Sequence, residues 1–421
     1  MSLKPSHVTI IGGGLAAPIL ALALKKQGVS STIYELRSRD WQQGGSIAAA
    51  PNCLRVLDHI GVWSRLRPQG FVYDGLTFTN GEGSYIGVFL NGDETRYGYP
   101  ALRIRRRILR KELLDEVHAQ GIDAFYDKRC TGIAEQDTHI DVHFADGSTI
   151  KTDFVVGADG IHSTIRQHLF PAATPTFSGM MGISGLVSKS ALPQTAHEIA
   201  MPCMMYGREG FFALMPTDPA GTDVSYFSTI HYPEKTREGW DALAHDTAQL
   251  SKMLHERHCQ PSWPAVVRAA IEATPPDTLV HWPFYTVPQL DSYLSASQRV
   301  VLIGDAAHAF PPTGGQGAAM AFEDAETLAL TLGRAKSESA SASASAEPGV
   351  GALRTWETHR RARVADVLAF TTKTGEARRA SKGPWEQWVK EWAMWAFFWW
   401  KGPEGGARWI YEYDGTSAME S

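Results

Sequence analysis

Only four cysteines occur in the 421 residues, Cys53, Cys130, Cys203 and Cys259, and no two form a C-x-x-C pair. Thiols so sparse and scattered exclude a disulfide framework and a cysteine-based zinc module, and they suit a reducing, cytoplasmic compartment. Charge of neither sign is in excess, since 40 Lys and Arg against 45 Asp and Glu leave a net charge of -5. Without a basic surplus the electrostatic footprint of phosphate-backbone binding is missing, so nucleic acid is not an expected partner. Long apolar runs are scarce too. Residues 8–24 are uncharged, but the stretch falls short of the roughly 20 residues that span a bilayer. Glycines interrupt it, and its basic pair, Lys25 and Lys26, follows rather than precedes it. The expectation there is a strand, a turn and a buried helix rather than a signal peptide or anchor.

What is present is ordinary globular composition, 43% hydrophobic and 20% charged. At roughly 100–200 residues per domain the chain holds two to three domains' worth of core. Residues 8–11 (VTII) are a β-branched run, and Gly12-Gly13-Gly14-Leu15-Ala16-Ala17 matches G-x-G-x-x-G/A. Residues 19–24 continue apolar, and 31–34 read as a second strand ending at Glu35. In such a βαβ unit Gly12 makes the tight turn, Gly14 lets backbone N–H groups approach a pyrophosphate, and the small Ala17 lets helix and strand pack closely. Glu35 stands where a carboxylate accepts hydrogen bonds from ribose hydroxyls and disfavours a 2′-phosphate, which points to the adenosine half of FAD or NAD. Two other glycine clusters, at 81–83 and 314–317, lack this spacing or context.

Residues 50–60 and 108–119 have helical spacing, 125–150 read as a meander around the turn Asp146-Gly147, and 154–156 form a buried strand ending at Gly157-Ala158-Asp159-Gly160. The stretch 176–290, with strand-like runs such as FFALM and VSYFSTIHY, reads as an inserted mixed-sheet substrate domain. Residues 1–175 and 291–334 would be the two parts of one α/β nucleotide-binding domain. In the second part, 299–303 form a strand into Gly304-Asp305, followed by Pro311-Pro312 and a glycine-rich helix start at 314–319. Helical spacing continues to about Gly333, residues 335–349 form a low-complexity linker, and 350–421 form a C-terminal helical, aromatic-rich segment. Two glycine-acid turns bracketing an insertion imply a ligand longer than a mononucleotide. FAD fits, with Glu35 on the adenosine ribose, the 12–14 amides on the pyrophosphate, Asp305 on the ribityl chain and the 314–318 helix start at the flavin's pyrimidine edge.

With these motifs in order, the chain resembles the class A flavoprotein monooxygenases of the aromatic hydroxylase type, particularly the salicylate-hydroxylase-like members, over roughly residues 6–375. The resemblance is carried by GGGLAAP (12–18), APNCLRVLDHIG (50–61), the R-x-x-L of Arg106 to Leu109, GADGIHSTIR (157–166), GDAAHAFPPTGGQGAAMAFEDA (304–325) and WETHRRARV (356–364). It implies a Rossmann-like FAD-binding domain, non-covalent FAD, NAD(P)H as a transient co-substrate, and O₂. Oxygen would pass from a flavin hydroperoxide to an aromatic or heteroaromatic small molecule. It further implies a cofactor site of Gly12, Gly14, Leu15, Ala16, Glu35, Arg37, Arg106, Asp159, Asp305, Pro312, Gly315, Gly317 and Ala318, with Asp159-Gly160 serving both FAD and nicotinamide. Arg105 and Arg107 flank Arg106, and the choice among the three stays open. Two departures are Pro18 after the fingerprint and Ala318-Ala319-Met320 where many relatives carry an Asn. An epoxidase, an FAD oxidoreductase without oxygen insertion and a non-catalytic flavin-binding module are the alternatives.

Other constellations carry less. His255 and His258 lie at i,i+3 without further metal ligands nearby and read as a solvated helix face, so no metal site is expected. Gly182-Ile183-Ser184-Gly185 is not a nucleophile elbow, and His308 reads as structural. Alternate strand residues Tyr206, Phe212, Leu214, Tyr226 and His231 are candidates for the substrate pocket. No catalytic residue is assigned; Tyr206, Tyr226 and His231 stand as candidates, His231 as a base for a phenol. In the tail, Trp385, Trp388, Trp392, Trp395, Trp399 and Trp400 fall largely at helical intervals. They are expected to pack back over the body. A pocket lid, a dimer contact or docking at a membrane interface are the other readings, and the chain would be a monomer or homodimer.

Overall fold

The computed structural model describes residues 5, 7–41, 44–193, 199–309, 314–341 and 350–420. Pro312 lies outside them. The β-branched run near the N-terminus is the strand His7–Ile11, at the centre of a five-stranded parallel sheet. Val155–Gly157 and then Val300–Leu302 flank it on one side, Ser30–Tyr34 and then Asp123–Phe125 on the other. A parallel sheet is covered on both faces, which is why its strands are apolar without alternation. Val8, Ile10, Val155, Val156, Val300 and Val301 are all fully buried. The helix Ala16–Lys26 that follows the first strand is buried from Ala17 to Leu24, because the helix Gly317–Ser341 packs on it. Lys25 and Lys26 end it in solvent, where cations complement the helix dipole.

A second, seven-stranded sheet runs in the order Val280–Thr286, Thr176–Ser188, Asp223–His231, Gly210–Pro216, Cys203–Gly207, Gly75–Asn80, Tyr85–Leu90. Its last two strands come from far earlier in the chain, and Gly75–Asn80 pairs parallel with Cys203–Gly207. Successive side chains point to opposite faces. One face carries Ile183, Phe212, Leu214 and Tyr226 and packs with Leu254, Trp263 and Val267 of the helical layer. The other carries Met204, Tyr206, Phe211, Ala213 and Met215.

The helix Gly317–Ser341 runs past Gly333, where the helical spacing stops. Val350–Gly375 pairs with it through two arginines: Arg360 reaches Asp324 and Glu323, both at 2.8 Å, and Arg363 reaches Glu323 at 3.0 Å, all four side chains buried. The tail forms the helix Pro384–Lys401 along the edge strand Tyr85–Leu90, with Phe398 edge-on to Phe78 at 5.0 Å between ring centroids. The tryptophan stripe corrects the expectation. Its six indoles are 50–77% exposed, whereas Met394, Phe397 and Phe398 face the body. The helix has two apolar faces, and periodicity does not say which one the body covers. Among the described residues no helix is long and apolar enough to cross a membrane.

Candidate active site and cofactor cradle

A cavity of about 830 Å³ opens between the carboxyl end of the parallel sheet and one face of the mixed sheet. Its first wall brings together Gly14, Leu15, Ala16, Arg106, Asp305, Gly315, Gly317 and Ala318. Two helices begin on this wall, Ala16–Lys26 and Gly317–Ser341, and the first turn of a helix presents N–H groups with no intrahelical partner. At Gly14, Gly315 and Gly317 an added methyl group would meet no atom within 4 Å. The space beside these backbones is therefore free for a ligand to approach closely. Amide donors at one end, the Asp305 carboxylate further along and bare glycine backbone between them fit a pyrophosphate joined to a polyhydroxylated chain, which is the central portion of FAD.

The remaining residues of the expected cofactor set lie behind this wall. Gly12 has φ +107, and a Cβ there would stand 2.4 Å from the Ala158 carbonyl oxygen, so its hydrogen lets the two glycine turns pack. Glu35 accepts hydrogen bonds from the Gly13 N–H and, at 2.8 Å, from the Arg37 N–H. Arg37 itself stacks over Trp41, 5.4 Å from the ring centroid. Asp159 is turned inward: it accepts from Ser163 Oγ at 2.5 Å, Thr164 N at 2.7 Å and Ile165 N at 3.3 Å. Burial raises its pKa even so, and these bonds oppose the rise. Its neighbours Ala158 and Gly160, not its carboxylate, border the cavity. Of the three clustered arginines Arg106 lines the cavity, while Arg105 pairs with Asp223. Arg166 ties the turns together, donating to the carbonyls of Ile161, Ala173 and Ala306.

The second wall is aromatic. Tyr206, Phe211, Phe227 and Trp282 come from the mixed sheet, Phe397 and Phe398 from the tail helix. Tyr206 is thus in place, but Tyr226 and His231 need correction as pocket candidates, along with Phe212 and Leu214. Tyr226, Phe212 and Leu214 point to the helix-covered face, where Tyr226 stacks on Phe212 at 5.2 Å. His231 ends its strand exposed to solvent. A one-residue change of parity exchanges the faces of a strand, and apolar alternation is ambiguous when both faces are covered. Burial lifts the Tyr226 phenol to about 12.

Among the polar residues on this wall that escaped the sequence reading are Tyr73, Asn91, Arg103 and Arg378, the last 4.4 Å from the centroid of the Phe211 ring. Asn91 donates to the Tyr73 hydroxyl at 2.8 Å and accepts from the Tyr411 hydroxyl at 2.9 Å, anchoring the C-terminal segment in the cavity wall. Arg103 sits on the strand Ala101–Arg105, only 8% exposed. One guanidinium nitrogen approaches Ser225 Oγ at 3.5 Å, Nε has no partner, and among the described residues no carboxylate pairs with it. Burial pulls its pKa down to about 10, with Tyr73 opposing, so it remains a cation at neutral pH. In ALRIR the arginines alternate with Leu102 and Ile104, a pattern that reads as a solvated strand face. Only the second sheet packed across it makes Arg103 a buried charge.

A family model described as FAD binding domain matches residues 6–371. A 3-amino-4-hydroxybenzoate 2-monooxygenase of Streptomyces platensis is 30% identical over 381 residues, covering 90% of each chain. A salicylate hydroxylase of Pseudomonas putida is 26% identical over 392 residues, 88% of this chain and 85% of the relative. The solved structure of Klebsiella pneumoniae HpxO complexed with FAD and uric acid has the same fold. Its TM-score is 0.76 at 21% identity, over 98% of this chain and 95% of that one. With the glycine cradle, Asp305 and the aromatic wall in one cavity, the chain belongs to the FAD-binding-domain family and is a class A FAD-dependent aromatic monooxygenase.

Proposed function

We propose that this monooxygenase uses NAD(P)H and O₂ to hydroxylate a small aromatic or heteroaromatic carboxylate, and that Arg103 holds the carboxylate. The observation that carries the reading is a buried guanidinium, without an acidic partner among the described residues, beside the aromatic wall of the cavity. An unpaired buried ion costs several kcal/mol, and an incoming carboxylate offsets that cost by a charge-assisted, often bidentate, pair. The ring of such a ligand would lie among Tyr206, Phe211, Phe227 and Trp282, where stacked and edge-on contacts orient it. Two relatives whose names specify a hydroxybenzoate or salicylate substrate support the same class. FAD, when bound, supplies the redox and oxygen chemistry. The chain's own part is to hold the cofactor at Asp305 and the glycine cradle, to fix the substrate anion at Arg103, and to keep water out with the aromatic wall.

The test is a titration of the FAD-loaded enzyme with hydroxybenzoic and hydroxynicotinic acids and with their methyl esters, followed by flavin absorbance. Acids are expected to bind more tightly than esters, and Arg103→Met to weaken the acids by roughly tenfold to a hundredfold, the equivalent of about 1.5–3 kcal/mol for a bond to a charged group, while leaving the esters unchanged. Equal binding of acid and ester by the wild type, or an unaltered acid affinity in Arg103→Met, overturns it.

A further inference from the structure

The tail helix Pro384–Lys401 carries a feature that neither the cavity nor the cofactor uses. Trp385, Trp388, Trp392, Trp395 and Trp399 follow one another at intervals of three and four, Trp400 is next in sequence, and all six are at least half exposed. At 50–77% exposure each, and with about 150–250 Å² per large aromatic side chain, they present roughly 600–900 Å² of apolar surface. The largest apolar patch on an ordinary monomer is about 300–600 Å². One side of a standard protein interface is about 800 Å².

We propose that this face is the contact surface between two copies of the chain, with the two tail helices packed antiparallel about a two-fold axis near their midpoints. Three observations favour a second copy. The alternating spacing of three and four is the seam by which one helix packs on another, rather than the broader stripe of a helix lying on a core. Val389 and Ala396 flank the tryptophans, and Glu391, the acidic residue that lines the same face, is held by hydrogen bonds within its own chain, so two copies meet with little like-charge penalty. Within the chain Glu391 is engaged by Gln387 and Asn80, and Lys390 by the Arg379 carbonyl. A groove of about 220 Å³ also opens on this face between Trp388, Trp392 and Trp395 and the edge-strand residues Tyr85 and Ile86. Such a groove is a seat for an aromatic anchor of the partner, the kind of residue that dominates interface energetics. A helix lying in a membrane interface has a solvated, basic face opposite its aromatic one. Here the opposite face, with Gln387, Met394 and Phe398, is packed on protein.

The experiment is sedimentation equilibrium of the full-length, FAD-loaded protein at micromolar concentration. The wild type is expected at twice the 46.2 kDa chain mass. The double variant Trp392→Glu/Trp395→Glu is expected at the chain mass with its FAD content retained. Should that variant not fold, Trp392→Ala/Trp395→Ala is expected to raise the dimer dissociation constant at least tenfold. A monomeric wild type, including one that cosediments with phosphatidylcholine–phosphatidylglycerol vesicles, overturns the proposal, as does a dimer that either folded variant leaves intact.

Discussion

Asp324 accepts the main-chain N–H of Gly304 at 2.9 Å, so the middle of one buried helix holds the turn that presents Asp305 to the cavity. The same carboxylate meets His308 Nε2 at 2.6 Å and Arg360 Nε at 2.8 Å. Gly304 has φ +59, a conformation that a side chain strains, and a Cβ there would also crowd Ala321 at 3.0 Å. The turn is thus fixed by a backbone only glycine adopts easily and by a tether from the helix that the run GDAAHAFPPTGGQGAAMAFEDA reaches at its far end.

Replacing Asp324 with Asn is expected to cost roughly 3–5 kcal/mol, because it breaks a buried ion pair and leaves Glu323 as the one carboxylate on Arg360 among the described residues. The effect should depend on pH. Burial on its own would raise the Asp324 pKa, but His308 and Arg360 outweigh it and hold the carboxylate well below its ordinary range. A group depressed in the folded state contributes fully above its unfolded value of about 3.9 and loses that contribution as the pH falls below it. Urea unfolding from pH 7 to pH 3 should show the wild-type advantage constant above about pH 5 and shrinking below about pH 4. A variant as stable as the wild type at pH 7 would show that the tether is not structural.

Two neighbouring glycines should fail differently. Gly12→Ala forces a Cβ to 2.4 Å from the Ala158 carbonyl at positive φ, so it should lower the midpoint of unfolding with or without FAD. At Gly14 an added Cβ meets open space in the protein itself, so the Gly14→Val apoprotein should keep its stability while FAD no longer binds. Thermal melts of apo and FAD-supplemented protein separate the two, and an FAD-stabilised Gly14→Val would remove the glycine cradle from the cofactor site.

Asp305→Ala should weaken FAD by about tenfold to a hundredfold, since a hydrogen bond to a charged group is worth roughly 1.5–3 kcal/mol. The carboxylate lines the cavity and the polypeptide around it is held independently by Gly304 and Asp324, so the fold should persist. Fluorescence titration of the refolded apoprotein reads the constant, and an unchanged value would assign the ribityl contact to another group.

The βαβ unit, the two glycine-acid turns and the flavin-sized cradle were legible in the amino-acid order because their physics is local. A tight turn needs glycine within a few residues of its strand, and a helix N-terminus lies where the strand ends, so Gly12, Gly14 and Asp305 declare themselves by spacing. What tertiary structure decided was orientation. Both faces of the mixed sheet are apolar, one toward helices and one toward the cavity, so alternation alone did not separate Phe211 and Ala213 from Phe212 and Leu214. The tail helix is apolar on two sides, and packing of Phe398 against Phe78 left its tryptophans outside. Arg103 alternates with core residues as a surface arginine would, and becomes a buried cation only where a strand from residues 223–231 crosses above it and brings Ser225 to its side. Burial of a charge depends on what comes from elsewhere in the chain, and no local pattern records that.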